Sequence, residues 1–389
     1  MISKSPAGFL LVLLAASLVG AGLHAQQPVP GEADIQLTLP PEIYAVPGVP
    51  MTIDFANVAL VAPDQSAPPR FVVKCDSGAA NETRWTLDAR PEQAGARIPL
   101  EIEAFDPGGR GLGSVRTTVR VAPADAGKNR DVSLLIIGDS LTAATIYPNE
   151  IAKLLNRPGN PAWRMLGTQK RGETLPGVAH EGYGGWTWKR FRTQFDPAVP
   201  EPGKTGVSPF LFAPDTPGDA ANLDLARYFA ERGGTGAPPT HVVIMLGIND
   251  CFHPNPDEPA AVEAKIDEMF VEAEAFLAAL RRAAPEAEIG LCLTTPGNAR
   301  DAAFAANYKD RYTRWGWRRI QHRLVKRQIA RFAGREPERL FVIPTETHLD
   351  VVAGYPENNA VHPNTEGYAQ IAASIYSWLK WRLAAVEEK

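Results

Sequence analysis

The stretch "VSLLIIGDS", residues 132–140, decides the fold. It is almost entirely aliphatic up to Gly138, which is typical of a strand buried on both faces of a parallel sheet. The aliphatic run stops at Gly138, Asp139 and Ser140, where the strand is expected to end. Taken alone, Ser140 is either a polar turn residue or a side chain placed for chemistry at the carboxyl end of a strand.

Four similar aliphatic runs follow and alternate with segments of helical periodicity. The predicted strands are "WRMLGT" (163–168), "HVVIMLG" (241–247), "EIGLCLTT" (288–295) and "RLFVIPT" (339–345). The predicted helices include residues 147–155, 257–282 and 367–383. This alternation predicts an α/β domain over residues 131–389, with a doubly wound, flavodoxin-like sheet of about five parallel strands.

The region before this domain has a different pattern. Short segments with alternating apolar and polar residues recur between residues 36 and 121, among them "RFVVKC" (70–75) and "RIPLEIEAF" (97–105). They predict a small antiparallel β-sandwich of the immunoglobulin-like kind. Residues 122–130, "APADAGKNR", are expected to form a linker between the sandwich and the α/β domain.

The first 25 residues have the pattern of a secretory signal peptide. A single lysine, Lys4, precedes an apolar run over residues 9–23, and small residues lead to a cleavage position after Ala25. The alternative is a retained membrane anchor. We expect an exported protein, periplasmic or extracellular, with a loose tail over residues 26–35 and no membrane span in its mature part.

The composition limits the classes of function. The chain has 389 residues, with 40 basic and 44 acidic side chains and a net charge of -4, so no strong positive field indicates nucleic-acid binding. We find no metal or nucleotide motif, and we expect neither a metal nor another cofactor. The three cysteines, Cys75, Cys251 and Cys292, leave a Cys251–Cys292 disulfide open.

Three further motifs follow the predicted strands in chain order. "HEGYGGWT" (180–187) holds Gly184 and Gly185, either of which allows a backbone N–H to approach a ligand closely. "GIND" (247–250) supplies Asn249, whose amide can donate to an oxyanion. "VHP" (361–363) places His362 just before the last helix, as a candidate base for Ser140. Each motif also has an ordinary explanation in a turn or a helix cap.

Together the four motifs resemble those of the SGNH (GDSL-type) hydrolase superfamily, over about residues 131–385. The resemblance implies a carbohydrate-esterase-like serine hydrolase with Ser140 as nucleophile and His362 as base. It also implies that the oxyanion hole consists of the Ser140 N–H, the Gly185 N–H (with Gly184 as the neighbouring alternative) and the Asn249 amide. Asp139 and Asp250 also match motif positions, and we expect them to brace loops by accepting backbone N–H bonds.

One position departs from the family pattern. The family usually has an aspartate three residues before the histidine, whereas this chain has Asn359. Asn359 can orient the imidazole through its oxygen but carries no negative charge. Three alternatives stand: orientation by Asn359 or a backbone carbonyl, orientation by a displaced acid such as Glu357 or Asp350, and a slow or inactive enzyme.

These observations predict an exported serine esterase that hydrolyses short acyl esters, acetyl above all, on a carbohydrate. The alternatives are a lipase or lysophospholipase, and a non-catalytic glycan-binding protein with a relic hydrolase domain. Trp186 and Trp188 are expected either to stack on sugar rings or to pack in the core. We expect the basic segment 308–332 to place a stripe of apolar residues in the core and its arginines in solvent. The alternative is that Trp315, Trp317 and nearby arginines line the edge of the site and hold a polymeric substrate. The oligomeric state is not predicted.

Overall fold

The structure, a computed structural model, describes residue 1 and residues 35–62, 67–196, 198, 206–214, 216, 220–233, 236–309 and 312–387. By its internal contacts the chain divides into two units, Met1–Ala33 and Asp34–Lys389. The predicted signal peptide (apart from Met1) and most of the predicted tail lie outside the described residues. The last tail residue, Ile35, is buried in a strand because its side chain packs with Ala59 and Ala104.

The N-terminal β region consists of strands, one turn of α-helix and a 3₁₀ turn at Pro91–Gln93. These are β1 Ile35–Leu37, β2 Glu42–Ala45, β3 Met51–Asp54, α1 Phe55–Val58, β4 Ala59–Val61, β5 Arg70–Lys74, β6 Ala79–Ala80, β7 Arg84–Leu87, β8 Arg97–Phe105 and β9 Gly111–Val121. They form three small sheets, ordered β1-β4, β2-β9-β8-β5 and β3-β7-β6.

The strand pairs of this region are antiparallel except for β2, which lies parallel to β9. The alternating residues of the strands point inward, so Ile53, Trp85, Ile102 and Val119 are buried in one cluster. A small antiparallel β region therefore precedes the α/β domain.

The α/β domain follows with eight strands and nine helices among the described residues. They are β10 Asp131–Gly138, α2 Ser140–Ala143, α3 Ile146–Leu155, β11 Ala162–Leu166, β12 Glu181–Gly182, α4 Trp188–Thr193, β13 Leu211–Phe212, β14 Asn222–Leu223, α5 Leu225–Glu231, β15 His241–Met245, α6 Ile248–Cys251, α7 Pro259–Ala283, β16 Glu288–Cys292, α8 Asp301–Tyr308, α9 Arg314–Phe332, β17 Leu340–Ile343 and α10 Thr365–Glu387.

The main sheet has the order β11-β10-β15-β16-β17, and all of its pairs are parallel. The two-residue β12 pairs with the end of β10. The five predicted strands are all present, in the order of a flavodoxin-like fold, and this prediction is confirmed. Because parallel strands end at one edge of the sheet, the residues after β10, β15, β16 and β17 meet there.

The predicted linker, residues 122–130, is packed against the α/β domain. Ala122 and Ala126 are buried, and the Lys380 ammonium donates a hydrogen bond of 2.5 Å to the Ala126 carbonyl oxygen. A small residue is required at position 127, where an added Cβ would lie 2.7 Å from Leu383 Cδ1. The small residues of this segment therefore serve close packing on α10.

The arginines of α9 are paired with acidic residues of α7 and the segment before it. Arg319 lies 2.6 Å from Asp257, Arg331 lies 2.7 Å from Glu274, and Arg327 contacts both Glu263 and Asp267. On the other side of α9, Ile320 and Leu324 are buried, as is Trp317. The basic segment is thus a core stripe with a charged face, and that face is neutralised by the neighbouring helix.

The three cysteines are free, so the Cys251–Cys292 disulfide left open by the sequence is not formed. Cys251 and Cys292 are buried, and each packs as a small apolar group. Cys251 Sγ lies 3.9 Å from Met269 Sδ. Within the described ranges, none of the helices combines the length and the apolar character that crossing a bilayer requires.

Candidate active site

Ser140 and His362 meet at the carboxyl edge of the main sheet. Ser140 begins α2 directly after β10, and His362 lies in the histidine loop, defined as residues 344–364 between β17 and α10. The distance between His362 Nε2 and Ser140 Oγ is 2.9 Å. This is the hydrogen-bond distance that a general base needs to take the proton of a nucleophilic hydroxyl.

Asn359 sets the tautomer of His362. Its Oδ1 accepts the backbone N–H of His362 at 3.0 Å and that of Val361 at 3.3 Å, which identifies the amide atom facing this side as the oxygen. The same oxygen lies 3.2 Å from His362 Nδ1. Since this oxygen can only accept, Nδ1 must carry the proton, and Nε2 is left as the acceptor that faces Ser140.

Asp139 and Gly138 hold Ser140 in place at the end of β10. The Asp139 carboxylate caps the short helix α2, because its Oδ1 accepts the Leu141 N–H at 3.0 Å. Gly138 is required by close approach: an added Cβ would lie 1.9 Å from Thr142 Oγ1. The sharp strand-to-helix turn presents the half-buried Ser140 side chain above the sheet edge.

Asn249 lies on α6, directly after β15, and is held by two hydrogen bonds. Its Nδ2 donates to Asp139 Oδ2 at 3.1 Å and to the Trp186 carbonyl oxygen at 3.2 Å. These bonds connect the second and third motifs with the serine motif. Both amide N–H groups are engaged, so an oxyanion would compete with the Trp186 carbonyl for the longer of the two bonds.

Gly185 adopts a left-handed backbone with φ +74°, which favours glycine. It is exposed, as is Gly184, and its carbonyl oxygen accepts a bond of 3.2 Å from the Arg190 guanidinium. The backbone N–H groups of Gly185 and Ser140 have no hydrogen-bond acceptor among the described residues. Both groups are therefore available as donors to an oxyanion.

Two further contacts hold the "HEGYGGWT" loop on the other motifs. Asp250 Oδ1 accepts the Trp188 N–H at 3.1 Å, so Asp139 and Asp250 both brace loops as expected. His180 accepts the Gly182 N–H on Nδ1 at 3.1 Å, and its Nε2 lies 2.9 Å from Thr145 Oγ1. His180 therefore joins this loop to the segment that follows α2.

A buried carboxylate anchors the same loop from below. Glu181 accepts the hydroxyls of Tyr183 and Tyr228, each at 2.6 Å, and the Thr168 N–H and hydroxyl at 2.8 and 2.9 Å. Such a group is tolerated in the core because its oxygens are fully hydrogen-bonded. The loop that carries Gly185 therefore has a rigid base.

The histidine loop is held from the side of α8. Asn298 Nδ2 donates to the carbonyl oxygens of Pro356 (2.8 Å) and Asn359 (3.0 Å). Asn307 Oδ1 accepts the Ala360 N–H at 2.7 Å. These amide side chains fix the backbone on which Asn359 and His362 are placed.

The two displaced acids proposed from the sequence do not contact the imidazole. Asp350 is paired with Arg84, at 2.6 Å between Arg84 Nη2 and Asp350 Oδ2, and Glu357 is exposed. The atom that faces His362 Nδ1 is Asn359 Oδ1. The geometry therefore favours orientation by a neutral amide.

Burial shifts the pKa values of the ionisable groups of the site. It lowers the pKa of His362, which favours the neutral imidazole that can accept the proton of Ser140. It raises the pKa of Asp139 and of Asp250 to about 7 each, against the hydrogen bonds from the Leu141 and Trp188 N–H groups. The described residues hold no group of three or more His, Cys, Asp or Glu side chains suited to a metal ion.

Comparisons with known proteins follow this geometry. The model of the GDSL-like lipase/acylhydrolase family matches residues 136–370, well over half of the 389 residues. The chain belongs to the GDSL-like lipase/acylhydrolase family. It is a serine ester hydrolase of the SGNH type, and the resemblance found in its motifs is confirmed. A search of curated proteins found no match.

Three solved structures illustrate what this esterase is similar to. A family 3 carbohydrate esterase from Clostridium thermocellum is 14% identical, with 66% of this chain and 99% of that chain covered and a TM-score of 0.43. A family 2 carbohydrate esterase with a carbohydrate binding domain from Corynascus thermopiles (Myceliophthora fergusii) is 17% identical, with 89% and 93% covered and a TM-score of 0.34. An aryl esterase from M. smegmatis is 12% identical, with 64% and 98% covered and a TM-score of 0.37.

The tryptophans in and just after the "HEGYGGWT" loop do not form an exposed platform. Trp186 and Trp188 are 3% and 4% exposed. Trp186 stacks on Tyr183 and Phe191, with ring centroids 4.5 and 4.9 Å apart. Stacking on sugar rings is therefore wrong for both residues, since Trp186 packs against Tyr183 and Phe191, and Trp188, the first residue of α4, packs against Phe276 of α7.

Sequence reasoning missed several residues that hold the site of this esterase together. Asn298 lies in "TTPGN", at the end of β16, so its position at the active edge was a usable signal. His180 and Glu181 belong to a motif already noted for its glycines. Asn307 and Arg190 lie on helices and carry no signal of their role in the sequence.

Proposed function

We propose that this esterase is exported and removes short acyl groups, acetyl above all, from a carbohydrate through an acyl-enzyme on Ser140. The observation that carries the mechanism is the 2.9 Å contact between Ser140 Oγ and His362 Nε2, with the neutral Asn359 at His362 Nδ1. The proposed export rests on the signal-peptide pattern of residues 1–25.

The reaction uses His362 first as base and then as acid. His362 Nε2 takes the proton of Ser140 as its oxygen attacks the ester carbonyl, and it then protonates the leaving alcohol. The Ser140 and Gly185 N–H groups and the Asn249 amide stabilise the oxyanion. Water, deprotonated by the same imidazole, releases the acid and restores Ser140.

The distribution of exposed apolar side chains supports a short acyl group. Besides Met1, the highly exposed large hydrophobic residues of the described chain are Val271 and Val352. The aromatic residues beside Gly185 are buried in the core, so they leave little apolar surface for a long acyl chain. This observation disfavours the lipase and lysophospholipase alternative, which needs an extended apolar groove.

A polar leaving group is supported by the rim of the site. Gly184, Gly185, Lys189 and Arg190 are exposed next to the candidate oxyanion donors. Backbone amides and cationic side chains provide donors for hydroxyl-rich ligands, whereas an apolar alcohol would leave them unpaired. We therefore favour a carbohydrate as the acylated substrate.

The first experiment tests the nucleophile. We expect a fluorophosphonate probe to label wild-type protein at Ser140 and to leave Ser140→Ala and His362→Ala unlabelled. Acetate release from p-nitrophenyl acetate is expected to fall by at least about 10³-fold in Ser140→Ala. Acetate release by Ser140→Ala at the wild-type rate would refute the assignment of the nucleophile.

The second experiment tests the substrate. We expect acetate release from acetylated polysaccharides and from p-nitrophenyl acetate, and a steep loss of rate with longer p-nitrophenyl acyl chains. Faster hydrolysis of long-chain esters would favour the lipase alternative.

The third experiment tests export. We expect the mature protein to begin at Gln26, and N-terminal sequencing of the expressed protein measures this.

A further inference from the structure

The histidine loop contacts the N-terminal β region along its first half. Asn57 Nδ2 donates to the carbonyl oxygens of Glu346 (2.7 Å) and Leu349 (2.8 Å). The Asp54 N–H donates to the Thr347 carbonyl oxygen at 3.1 Å. The part of the chain that follows β17 is therefore bonded to residues nearly 300 positions earlier.

One ion pair of this interface has a buried carboxylate and a partly exposed guanidinium. Arg84, at the start of β7, places Nη2 at 2.6 Å from Asp350 Oδ2; the two side chains are 34% and 6% exposed. Asp350 Oδ1 accepts the N–H groups of Val352 and Ala353, each at 2.8 Å. Burial opposes ionisation of Asp350, but these two bonds and Arg84 together lower its pKa.

The turn that Asp350 organises, residues 350–354, is bonded directly to the neighbourhood of His362. Asn364 Nδ2 donates to the Ala353 carbonyl oxygen at 2.7 Å, and the Asn364 N–H donates to the Gly354 carbonyl oxygen at 2.9 Å. Asn364 stands two positions after His362, with Pro363 between them. The rigid Pro363 leaves little freedom in this short connection.

We infer that Arg84, in the N-terminal β region, is a positioning residue for His362. Arg84 holds the Asp350 carboxylate, Asp350 holds the turn 350–354, and this turn holds Asn364. Together with Asn359 on the other side, Asn364 fixes the backbone at His362, and so the 2.9 Å contact of Nε2 with Ser140. The N-terminal β region thus takes part in catalysis by the neighbouring domain without contacting the substrate.

This inference rests on the proposed function, because it assumes that His362 is the base. The neutral Asn359 makes the position of the imidazole important, since no charge attracts the imidazolium to its place. A displacement of about 1 Å at a catalytic group reduces the rate by about 10²-fold. Loss of Arg84 relaxes only one side of the loop, and we expect an effect of about tenfold.

The experiment compares Arg84→Ala, Arg84→Lys and Asp350→Asn in the full chain. We expect kcat for p-nitrophenyl acetate to fall about tenfold in Arg84→Ala with KM within twofold of wild type. Arg84→Lys should recover most of kcat, because the observed contact is a single bond that an ammonium can make. Asp350→Asn keeps the acceptor for Val352 and Ala353, so it tests loss of the ion pair with the turn intact.

The control is Arg116→Ala, which removes an exposed ion pair of the same β region, 3.0 Å from Glu101 and remote from the loop. Active sites are counted by fluorophosphonate labelling, and kcat is expressed per labelled site. A merely structural role lowers the number of labelled sites but leaves kcat per site unchanged. Equal kcat per site in Arg84→Ala and Arg116→Ala would overturn the inference, whereas failure of wild-type labelling would instead overturn the proposed mechanism.

Discussion

The residue that orients His362, Asn359, is neutral, and this changes what the imidazole requires from its surroundings. Asn359 supplies the oxygen that fixes the tautomer, at 3.2 Å from Nδ1, but no charge to stabilise imidazolium. The hydrogen-bonded backbone around Asn359 and Asn364 supplies orientation in place of attraction. In the usual triad, one aspartate both orients the histidine and stabilises its positive charge. In this esterase the histidine is oriented by Asn359 and the loop backbone, and Asn359 adds no charge.

A substitution that places a negative charge at position 359 tests what the charge adds to orientation alone. Asn359→Asp keeps an oxygen for the Val361 and His362 N–H groups and adds a negative charge beside the imidazole. An opposite charge at this distance raises a histidine pKa by about 1–3 units. We therefore expect the acid limb of kcat/KM to move to higher pH and kcat above that limb to rise about tenfold, measured as a pH–rate profile.

The matched variants for this prediction are Asn359→Ala and Glu357→Gln. Asn359→Ala removes the orienting oxygen and should lower kcat. Glu357→Gln should leave the profile unchanged, because Glu357 is exposed and the atom that faces His362 Nδ1 is Asn359 Oδ1. Loss of activity in Glu357→Gln, without a gain in Asn359→Asp, would instead identify Glu357 as a displaced acid.

Asp139 is expected to act through Asn249. In Asp139→Asn the retained oxygen can still cap α2, but the new amide group places a donor against the donating Nδ2 of Asn249. We expect kcat to fall by about 10²-fold, the typical loss for one oxyanion donor. The check is a double-mutant cycle with Asn249→Ala: the double variant should be no slower than Asn249→Ala alone. Additive losses would show that Asp139 acts elsewhere.

At the scale of the element, the "HEGYGGWT" loop depends on the buried Glu181. Glu181→Ala leaves two tyrosine hydroxyls and Thr168 without their acceptor, so we expect the free energy of unfolding to fall by about 3 kcal/mol. Tyr228→Phe removes only one of these bonds and should cost about 1 kcal/mol. Urea denaturation measures both, and a loss in Glu181→Ala no larger than that in Tyr228→Phe would contradict the anchoring role.

Much of the fold and part of the site could be predicted from the sequence. The aliphatic runs identified all five strands, because strands buried on both faces need a continuous apolar sequence. Chain order then placed Ser140, Asn249 and His362 at one edge of the sheet. These features depend on local pattern and on the geometry common to parallel sheets.

The remaining features depend on which distant residues meet. The burial of Trp188 follows from how α4 packs on α7, and that of Trp186 from its contacts with Tyr183 and Phe191, whereas "WTWKRF" alone fits a buried or an exposed face. Asp350 looked like a free acid because its partner Arg84 lies 266 positions away. The parallel pairing of β2 with β9 likewise depends on contacts between residues that are far apart in the sequence.

At the scale of the molecule, the interface between the two regions contains an acidic group that titrates near neutrality. Glu346 is buried, and burial raises its pKa to about 7 against the hydrogen bond from Thr347. The unfolded chain releases this proton near the ordinary value of 4.5, so the folded state binds more protons between these values. The contribution of Glu346 to the free energy of unfolding is therefore expected to fall as the pH rises from about 4.5 to 7.

Glu346→Gln tests this expectation, because it removes the titrating group and keeps an acceptor for Thr347. We expect the melting temperature of the variant to rise relative to that of wild type as the pH increases across that window, and to exceed it at pH 8. The exposed Glu357→Gln is the control and should follow wild type. A slope unchanged by Glu346→Gln would assign the pH dependence to other buried acids, such as Asp139.

The separation of the site residues along the chain has a kinetic consequence. Ser140 and His362 are 222 positions apart, and Arg84 and Asp350 are 266 apart. Contacts of such high contact order form late in folding, after the locally paired hairpins and helices. We expect recovery of esterase activity to lag behind recovery of helical circular dichroism when the denatured protein is refolded. A chain still in synthesis has no functional esterase until the segment that carries His362 has emerged and closed onto Ser140.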